Sequence, residues 1–549
     1  MSGDGAAGRG QRAAAVLEGI AVAALMALVS VYALRQLWDI DVFWHVVAGR
    51  LIVEQGLGVS RDTFSAIDPE RPWIPLVWGY HVLTYLIDRA WGLEGLRLAH
   101  AGLQIFAFGL FYWTCRRRLA LGPLVSLVLF ALLVVLYADR FRARPHVLNL
   151  NFEILLLPWL ARGPRSFDRR ALAVTALVFA LWANLHGGGA FVFLCVAFAV
   201  PLAATLDRLL RVPDREGDLG RAWGWFACAL VPALLSPLFV RSVLHTFSMV
   251  DATYEYTFEW HPSFRLFLVG TLPAHFAAGA FPSLVAVLLA FPLAKILAPL
   301  AREGASGLRR ALAQYELHRL LLALALLFLA HRSIRFIYLS AFALVIAAPL
   351  VARAFEEARL ARRARQGALG LALAALVAMG YQSRITGLYG SFGQALQVVL
   401  HGGPLQPGRF PVAQADFLAR TGFEGKVFCQ AAWGGYLLYR LWPHAHVLVD
   451  GRGNHDATVT RDLRTLGNAG NMEDAANGPV ILSIYDHYAT DVIVHPHPTW
   501  PVGYRPPEEH WVLAQADELG AVWVRPRGAG AAYLGHLVEL AHQGSYAPP

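Results

Sequence analysis

The chain has 549 residues, a net charge of +9, 56% hydrophobic residues and 15% charged residues, with a mean hydropathy of +0.46. Soluble globular proteins carry about 25% charged residues, so this composition excludes an ordinary soluble protein and predicts a polytopic α-helical membrane protein. The positive charge comes almost entirely from arginines in short loops between apolar segments, which indicates membrane topology rather than a nucleic-acid partner. The four cysteines are dispersed, so we expect neither a disulfide nor a zinc site.

The apolar segments predict about 11 transmembrane helices, since a span needs roughly 20 apolar residues. The first apolar stretch, near 13–37, is too long for the hydrophobic core of a signal peptide, so we expect a retained span there. The other predicted spans lie near 94–114, 119–137, 147–161, 171–184, 189–206, 223–240, 275–299, 313–330, 336–352 and 367–381.

Arginine-rich loops give the predicted orientation of these spans. Such segments recur in alternate loops, and the positive-inside rule places them in the cytoplasm. The N-terminus is then cytoplasmic, and the chain after about residue 382 is extracytoplasmic. The loops concerned are 116–118, 161–170, 207–221, 301–310 and 353–365.

The C-terminal part of the chain differs in character from the rest. Its apolar stretches shrink to strand length, and helical patterns such as 412–421 lie between them. This predicts a small extracytoplasmic α/β domain over 382–549, after a transmembrane domain over 1–381. The predicted strands are 426–429, 446–450, 491–495, 510–515 and 521–526.

The predicted outer loops carry an unusual set of ionisable residues. Asp39, Asp41 and His45 follow the first span, and Asp139 lies among arginines in the loop 138–149. Arginine on the translocated side runs against the positive-inside rule, and guanidinium groups bind phosphate in bidentate fashion. We therefore predict an anionic, phosphate-bearing substrate at the outer membrane boundary. The predicted phosphate-binding residues are Arg140, Arg142, Arg144, Arg332 and Arg335.

Structural explanations remain open for several of these residues. A single aspartate would be an ordinary interfacial residue, whereas the pair Asp39 and Asp41 favours a functional site. His186 lies in "WANLHGGG" (182–189), which we place in the third outer loop. It fits either a packed polar kink, with glycines for close helix approach, or a substrate-binding residue. The arginines of 138–149 fit either phosphate binding or a structural role such as snorkelling or pairing with Asp139.

Together these features resemble the GT-C superfamily of polytopic glycosyltransferases, which use polyprenyl-phosphate-linked sugars. The shared features are a cytoplasmic N-terminus, an acidic motif directly after the first span, an acidic residue in the next outer loop and a C-terminal extracytoplasmic domain. The segments 41–65, 182–188 and 431–454 are also similar to bacterial membrane proteins placed near that superfamily. The resemblance implies a GT-C-like fold in a bacterial plasma (inner) membrane.

The segment "AAWGGYL" (431–437) resembles the "WWDYG" stretch that begins the outer domain in the catalytic subunits of oligosaccharyltransferases. Trp433 and Tyr436 keep aromatic positions, but Gly434 and Gly435 stand where an acidic residue would be expected. A glycine-bearing turn before a helix with buried aromatics and a binding role both fit this segment.

The segment "VDGRGN" (449–454) predicts a strand that runs into a glycine turn, with Asp450 and Arg452 exposed. Exposed loops of this kind often carry function, so the turn is a candidate part of the site. The predicted substrate-binding residues, beyond those for phosphate, are Asp139, His186, Trp433, Tyr436, Asp450 and Arg452.

The resemblance implies transfer of a sugar from a polyprenyl-phosphate-linked donor to an acceptor on the outer face. By this resemblance Asp41 is the general base, with Asp39 and His45 beside it, and the arginines stabilise charge on the leaving phosphate. Asp39 and Asp41 are also the candidate ligands for Mg²⁺ or Mn²⁺, although many enzymes of this class need no metal. The expected partners are the lipid-linked donor, membrane lipid and a glycan, lipid or protein acceptor, without nucleic acid.

Two other classes of function are alternatives to sugar transfer. A non-catalytic, degenerate protein that binds or scaffolds lipid-linked glycans is the alternative, and the missing acidic residue in "WGGY" favours it. A secondary transporter predicts broken helices, inverted repeats and charges near the bilayer midplane. The charges of this chain concentrate at one predicted face, which argues against transport.

Overall fold

The computed structural model describes residues 3–215, 217–253, 260–265, 273–356, 391–452, 458–459, 461–462, 478–496 and 510–548. The chain divides into two compact units. The helical unit comprises Met1–Arg35 and Arg97–Gly402, and the sheet unit comprises Gln36–Leu96 and Gly403–Pro549.

Most of the described chain is helical. In chain order the α-helices are α1 (Gly3–Ala33), α2 (Asp41–Gln55), α3 (Trp78–Trp113), α4 (Pro123–Tyr137), α5 (His146–Arg162), α6 (Arg169–Ala197), α7 (Ala199–Leu209), α8 (Asp218–Leu234), α9 (Phe239–Thr253), α10 (Pro273–Gln314), α11 (Leu317–Arg332), α12 (Leu339–Glu356), α13 (Phe392–His401), α14 (Val412–Arg420), α15 (Ala431–Leu441), α16 (Gly478–His487) and α17 (Gly528–His542). Helix starts follow local chemistry. Pro123 opens α4, where its fixed φ suits the first turn, and Asp168 caps α6 by accepting the N–H of Ala171 at 2.8 Å.

Fewer helices are able to span a membrane than the sequence predicted. Among the described residues, five are long and apolar enough, or up to six if the pair α8 and α9, bent by 94°, forms one span. The five are Arg12–Ala33, Trp78–Arg118, Pro123–Arg140, Arg169–Leu209 and Gly279–Gln314. The expectation of 11 is therefore wrong.

Three features of the chain explain the lower number. The predicted spans 171–184 and 189–206 both fall in the stretch Arg169–Leu209. Helices α5 and α11, with 17 and 16 residues, are shorter than a typical span, and so is Leu339–Arg353, the apolar part of α12. The predicted span 367–381 lies outside the described residues.

Large aromatic side chains form much of the core of the helical unit. Trp225 of α8 is fully buried and stacks on Phe167 with ring centroids 4.9 Å apart. Its Nε1 donates to Thr175 Oγ1 at 2.8 Å, so the one polar atom of this indole is satisfied. This pairing connects α8 to α6 inside the unit.

A five-stranded mixed sheet lies at the centre of the sheet unit. Its strands are β1 (Gly425–Cys429), β2 (Ala445–Val447), β3 (Val492–Pro496), β4 (Val512–Ala516) and β5 (Gly520–Val524), in the order β2-β1-β3-β5-β4. The β1 strand pairs in parallel with β2 and β3, whereas β5 pairs antiparallel with β3 and β4. The predicted strands and the helix predicted over 412–421 are therefore present in the structure.

The sheet unit contains an N-terminal segment that the sequence assigned to the transmembrane domain. The bridges Leu37–Leu405 and Ser65–Val447 connect residues 36–96 to the C-terminal part of the chain. Phe43 of α2 also packs edge-on against Tyr436 of α15, with ring centroids 4.9 Å apart. The division at 381/382 was drawn from composition, which does not show that distant segments pack together.

Candidate functional site

The two aspartates of "DID" have different environments at the start of α2. Asp39 is 3% exposed, and its Oδ1 accepts the backbone N–H of Asp41 at 3.0 Å. Asp41 is the first residue of α2 and is half-buried. Free N–H groups at a helix N-terminus stabilise a negative charge there. Asp39 therefore orients the backbone, and Asp41 carries the more accessible carboxylate.

The turn that follows β2 lies directly against Asp41. A Cβ placed on Gly451 would lie 2.5 Å from Asp41 Oδ1 and 3.5 Å from the Ile40 side chain, so only glycine leaves room for the carboxylate. This turn lies at the carboxyl end of the parallel strands β1, β2 and β3, the edge at which open α/β sheets bind ligands. The structure thus brings Asp41 and the "VDGR" turn together.

Arg452 anchors this turn through two carboxylates. Its guanidinium contacts Asp450 at 2.6 Å and Asp62 at 2.8 Å, and it lies 4.8 Å from the Phe64 ring centroid and 5.7 Å from that of Trp73. The side chains of Arg452, Asp450 and Asp62 are 6%, 4% and 1% exposed. The expectation that Asp450 and Arg452 are exposed is therefore wrong.

The charge state of Arg452 follows from opposing effects. Burial alone would lower the pKa of Arg452, but the adjacent carboxylates of Asp450 and Asp62 raise it above the ordinary value. The buried guanidinium is therefore fully charged and balanced by two anions. We call Arg452, Asp450 and Asp62 the arginine clamp.

Close backbone packing accounts for both glycines of "WGGY". A Cβ on Gly434 would overlap the carbonyl oxygen of Val449, and a Cβ on Gly435 would lie 2.9 Å from the carbonyl oxygen of Ile40. Neither position has space for a carboxylate side chain. The departure from the acidic "WWDYG" pattern thus has a steric cause in this fold.

The aromatic residues of the same segment lie inside the sheet unit. Trp433 and Tyr436 are 2% and 3% exposed. The Trp433 indole donates to the carbonyl oxygen of Arg409 at 3.2 Å, and Tyr436 stacks on Phe410 with ring centroids 5.7 Å apart. Their contacts are those of packing residues.

His45 lies one turn beyond Asp41 and pairs with a second imidazole. Its Nδ1 is 3.0 Å from His81 Nδ1, and both side chains are buried. The sequence alone does not select His81 or Asp62, although Asp62 lies in the segment 41–65, because no local pattern connects either residue to Asp41 or Arg452. Only the folded chain shows that they neighbour the predicted site residues.

In the helical unit, predicted phosphate-binding arginines gather near the start of α5. Arg140 is buried and donates to the carbonyl oxygen of Arg335 at 3.2 Å. The Arg335 guanidinium lies 4.6 Å from the Trp260 ring centroid. Burial, together with the charges of Arg140, Arg144 and Arg335, lowers the pKa of His146 well below its ordinary value. We call Arg140, Arg144 and Arg335 the arginine cluster; its charges act on one imidazole.

The other residues predicted beside these arginines are more exposed or engage the backbone. Asp139 and Arg332 are exposed, and Arg142 is half-buried. The Arg142 Nε donates to the carbonyl oxygen of Asp139 at 2.8 Å. The charges of three of the five predicted arginines thus act on one imidazole.

The segment predicted as an outer loop, 182–189, is helical apart from a break at His186, where two stretches of α6 meet. The backbone of His186 is non-helical (φ −156°, ψ 73°), which makes the polar kink that the sequence allowed. Its Nδ1 is 2.7 Å from Asn149 Oδ1, which also accepts the Trp182 indole N–H at 2.7 Å. A Cβ on Gly187 would lie 2.8 Å from Ser242 Oγ, so close helix approach requires this glycine.

The predicted metal ligands do not form a recognisable metal centre. Across the described parts of the chain, no group of three or more His, Cys, Asp or Glu side chains is arranged to hold a metal ion. Asp39 already accepts a backbone N–H. The two carboxylates of Asp39 and Asp41 therefore do not fit Mg²⁺ or Mn²⁺ without further ligands.

Taken together, the chain combines membrane-capable helices with a small mixed sheet. No protein-family model matches it, and no curated protein matches it in sequence. Its structure is similar to the crystal structure of the Archaeoglobus fulgidus oligosaccharyltransferase in complex with zinc and sulfate. That similarity has a TM-score of 0.42 at 13% identity and covers 86% of this chain and 67% of the other. A likeness at this level does not establish function, which must come from the residues themselves.

Proposed function

We propose that the protein is an integral-membrane, GT-C-type glycosyltransferase. It transfers a sugar from a polyprenyl-phosphate-linked donor to an acceptor on the outer face of a bacterial plasma membrane. Its N-terminus is cytoplasmic and its C-terminal residues are extracytoplasmic. The observation that carries the proposal is the arrangement of Asp39, Asp41 and Gly451, which places one accessible carboxylate at the ligand-binding edge of a sheet.

In this proposal Asp41 is the general base. It takes the proton of the acceptor hydroxyl as that oxygen attacks the anomeric carbon, and the bond from the anomeric carbon to the phosphate oxygen breaks. Its negative charge also stabilises an oxocarbenium-like centre. Asp39 holds Asp41 in position through the bond to its backbone N–H.

The arginine cluster supports the assignment of a phosphate-bearing donor. Several guanidinium groups around one neutral imidazole concentrate positive charge, which stabilises the charge that develops on a leaving phosphate. Arg142 and Arg332 extend this positive region along the same loops. The acceptor is a glycan, a lipid or a protein.

Profiles of lipid-linked glycans in cells with and without the protein test the proposal. Loss of the protein should cause one polyprenyl-phosphate-linked sugar to accumulate while its glycosylated product disappears. Re-expression of the wild-type chain should restore both. Identical profiles with and without the protein would contradict the proposal.

A non-catalytic role in binding lipid-linked glycans is the second candidate. The steric exclusion of an acidic side chain at Gly434 and Gly435 favours it, because the acidic position of "WWDYG" is absent. Purified protein in lipid vesicles separates the two. Binding of a polyprenyl-phosphate analogue without any transfer to added acceptors would support the second candidate, whereas turnover would support the first.

A further inference from the structure

A buried carboxyl in the helical unit plays no part in the proposed transfer. Glu153 of α5 is 5% exposed, and its Oε1 accepts the hydroxyl of Tyr338 at 3.1 Å. Its Oε2 has no hydrogen-bond partner among the described residues. A buried carboxylate that receives one neutral hydrogen bond is strongly disfavoured relative to its neutral form, because little compensates for lost hydration.

A second unpartnered polar atom lies in the same neighbourhood. Tyr137 is 1% exposed, and within the described part of the chain its hydroxyl has no partner. Its ring packs edge-on against Tyr338, whose hydroxyl donates to Glu153, and the two tyrosine ring centroids are 5.4 Å apart. Buried polar groups without partners usually mark an ordered water or a functional group.

Glu153 also belongs to a polar face of α5. His146, Asn149 and Glu153 are separated by three and four residues, a spacing that aligns side chains on one face of a helix. His146 and Glu153 lie roughly 10 Å apart along the helix axis. The polar face therefore extends from the arginine cluster to Glu153.

We propose that Glu153 is a proton-binding site inside the helical unit. At neutral pH it is a carboxylic acid whose O–H donates to a water molecule shared with Tyr137, and at high pH it loses this proton. The titratable groups beside it are Tyr338, which directly precedes α12, and Tyr137 on α4, with the charge of Arg140 acting on both hydroxyls. The site does not depend on the proposed glycosyl transfer.

Infrared difference spectra of the purified full chain in lipid vesicles test the site. The difference spectrum of the wild type minus Glu153→Gln should show the C=O band of a neutral carboxylic acid at neutral pH. This band should be replaced by carboxylate bands when the pH is raised well above neutrality. The control is Glu54→Gln, since Glu54 is exposed and paired with Arg50 at 2.8 Å; its difference spectrum should contain carboxylate bands. Carboxylate bands from Glu153 at neutral pH would overturn the proposal.

Labelling of the wild-type chain gives a second measurement that needs no variant. Dicyclohexylcarbodiimide partitions into membranes, and a protonated carboxylic acid adds to it to give an O-acylisourea that rearranges to a stable N-acylurea. Mass spectrometry of peptides should find the adduct on Glu153 and not on Glu54. A water-soluble carbodiimide should show the opposite preference. Absence of the apolar adduct from Glu153 would contradict the proposal even if Glu153→Gln failed to fold.

Discussion

Buried arginines serve different purposes in the two units. In the sheet unit, Arg452 is enclosed by the carboxylates of Asp450 and Asp62, so its charge is balanced within the protein. In the helical unit, the charges of Arg140, Arg144 and Arg335 act together on a neutral His146. Two carboxylates balance the Arg452 charge and fix a turn, whereas the arginine cluster gathers positive charge near one imidazole, which in the proposed function attracts the donor phosphate. Arg140 is buried, and Arg144 and Arg335 are half-buried.

The strongest test of this difference between the two units is to remove Arg452 from the arginine clamp. Arg452→Gln should lower the free energy of unfolding of the purified chain by about 3–5 kcal/mol, because two buried carboxylates lose their counter-charge. Arg50→Gln, in the exposed pair with Glu54, is the control and should cost less than about 1 kcal/mol. Denaturant unfolding measures both. Equal losses of unfolding free energy in the two variants would mean that the arginine clamp does not stabilise the sheet unit.

The packing of α15 gives the second test. Gly434→Ala should destabilise the chain by about 1–3 kcal/mol, since the new methyl group overlaps the carbonyl oxygen of Val449. Gly535→Ala in α17 is the matched control, because nothing lies within 4 Å of its added Cβ. The control should be neutral or stabilising by up to about 1 kcal/mol. A neutral result for Gly434→Ala would contradict the steric account of "WGGY".

The third test measures how a substitution in the arginine cluster changes the affinity for a phosphate-bearing ligand. Arg335→Gln should weaken binding of a polyprenyl-phosphate analogue by roughly tenfold or more, since charged hydrogen bonds contribute about 1.5–3 kcal/mol. Arg335→Gln also removes the contact with the Trp260 ring, so its unfolding free energy is measured beside the affinity to separate a loss of binding from a loss of folding. Arg302→Gln, an exposed arginine of α10, is the control. Unchanged affinity in Arg335→Gln would remove the phosphate assignment of this residue.

The smallest expected effect is a pH dependence. The pKa of His146 is lowered in the folded chain, so below about pH 6.5 the unfolded chain binds a proton that the folded chain excludes. The contribution of His146 therefore makes stability fall as the pH falls, by at most about 1.4 kcal/mol per pH unit. His146→Asn should reduce this slope, as measured by unfolding between pH 7 and pH 5. An unchanged slope would show that the pKa of His146 is not lowered in the folded chain.

The strands and helices of the C-terminal part were predictable from local patterns. The stretches 426–429 and 491–495 contain residues that favour strands and so predict β1 and β3: Val427 and Phe428 in the first, and Val492, Ile493 and Val494 in the second. The number of spans was not predictable from hydropathy alone, because α6 continues through a kink at His186 that reads as a loop.

Contacts between distant segments were beyond the reach of sequence reasoning. Asp41 and Arg452 were selected by their motifs, but nothing in the sequence shows that Gly451 packs on Asp41 or that Asp62 balances Arg452. The same limitation explains why Arg452 was expected to be exposed. An arginine after a glycine turn has the same local pattern whether or not two carboxylates bury it.

The proposed sugar transfer depends above all on Asp41, so substitution of this residue is the decisive experiment. Cells that lack the protein are complemented with the wild-type chain or with Asp41→Asn, and their lipid-linked glycans are profiled at equal membrane levels of the two chains. If Asp41 is the general base, Asp41→Asn should leave the donor accumulated as in cells without the protein. A profile identical to that of the wild-type chain would contradict it.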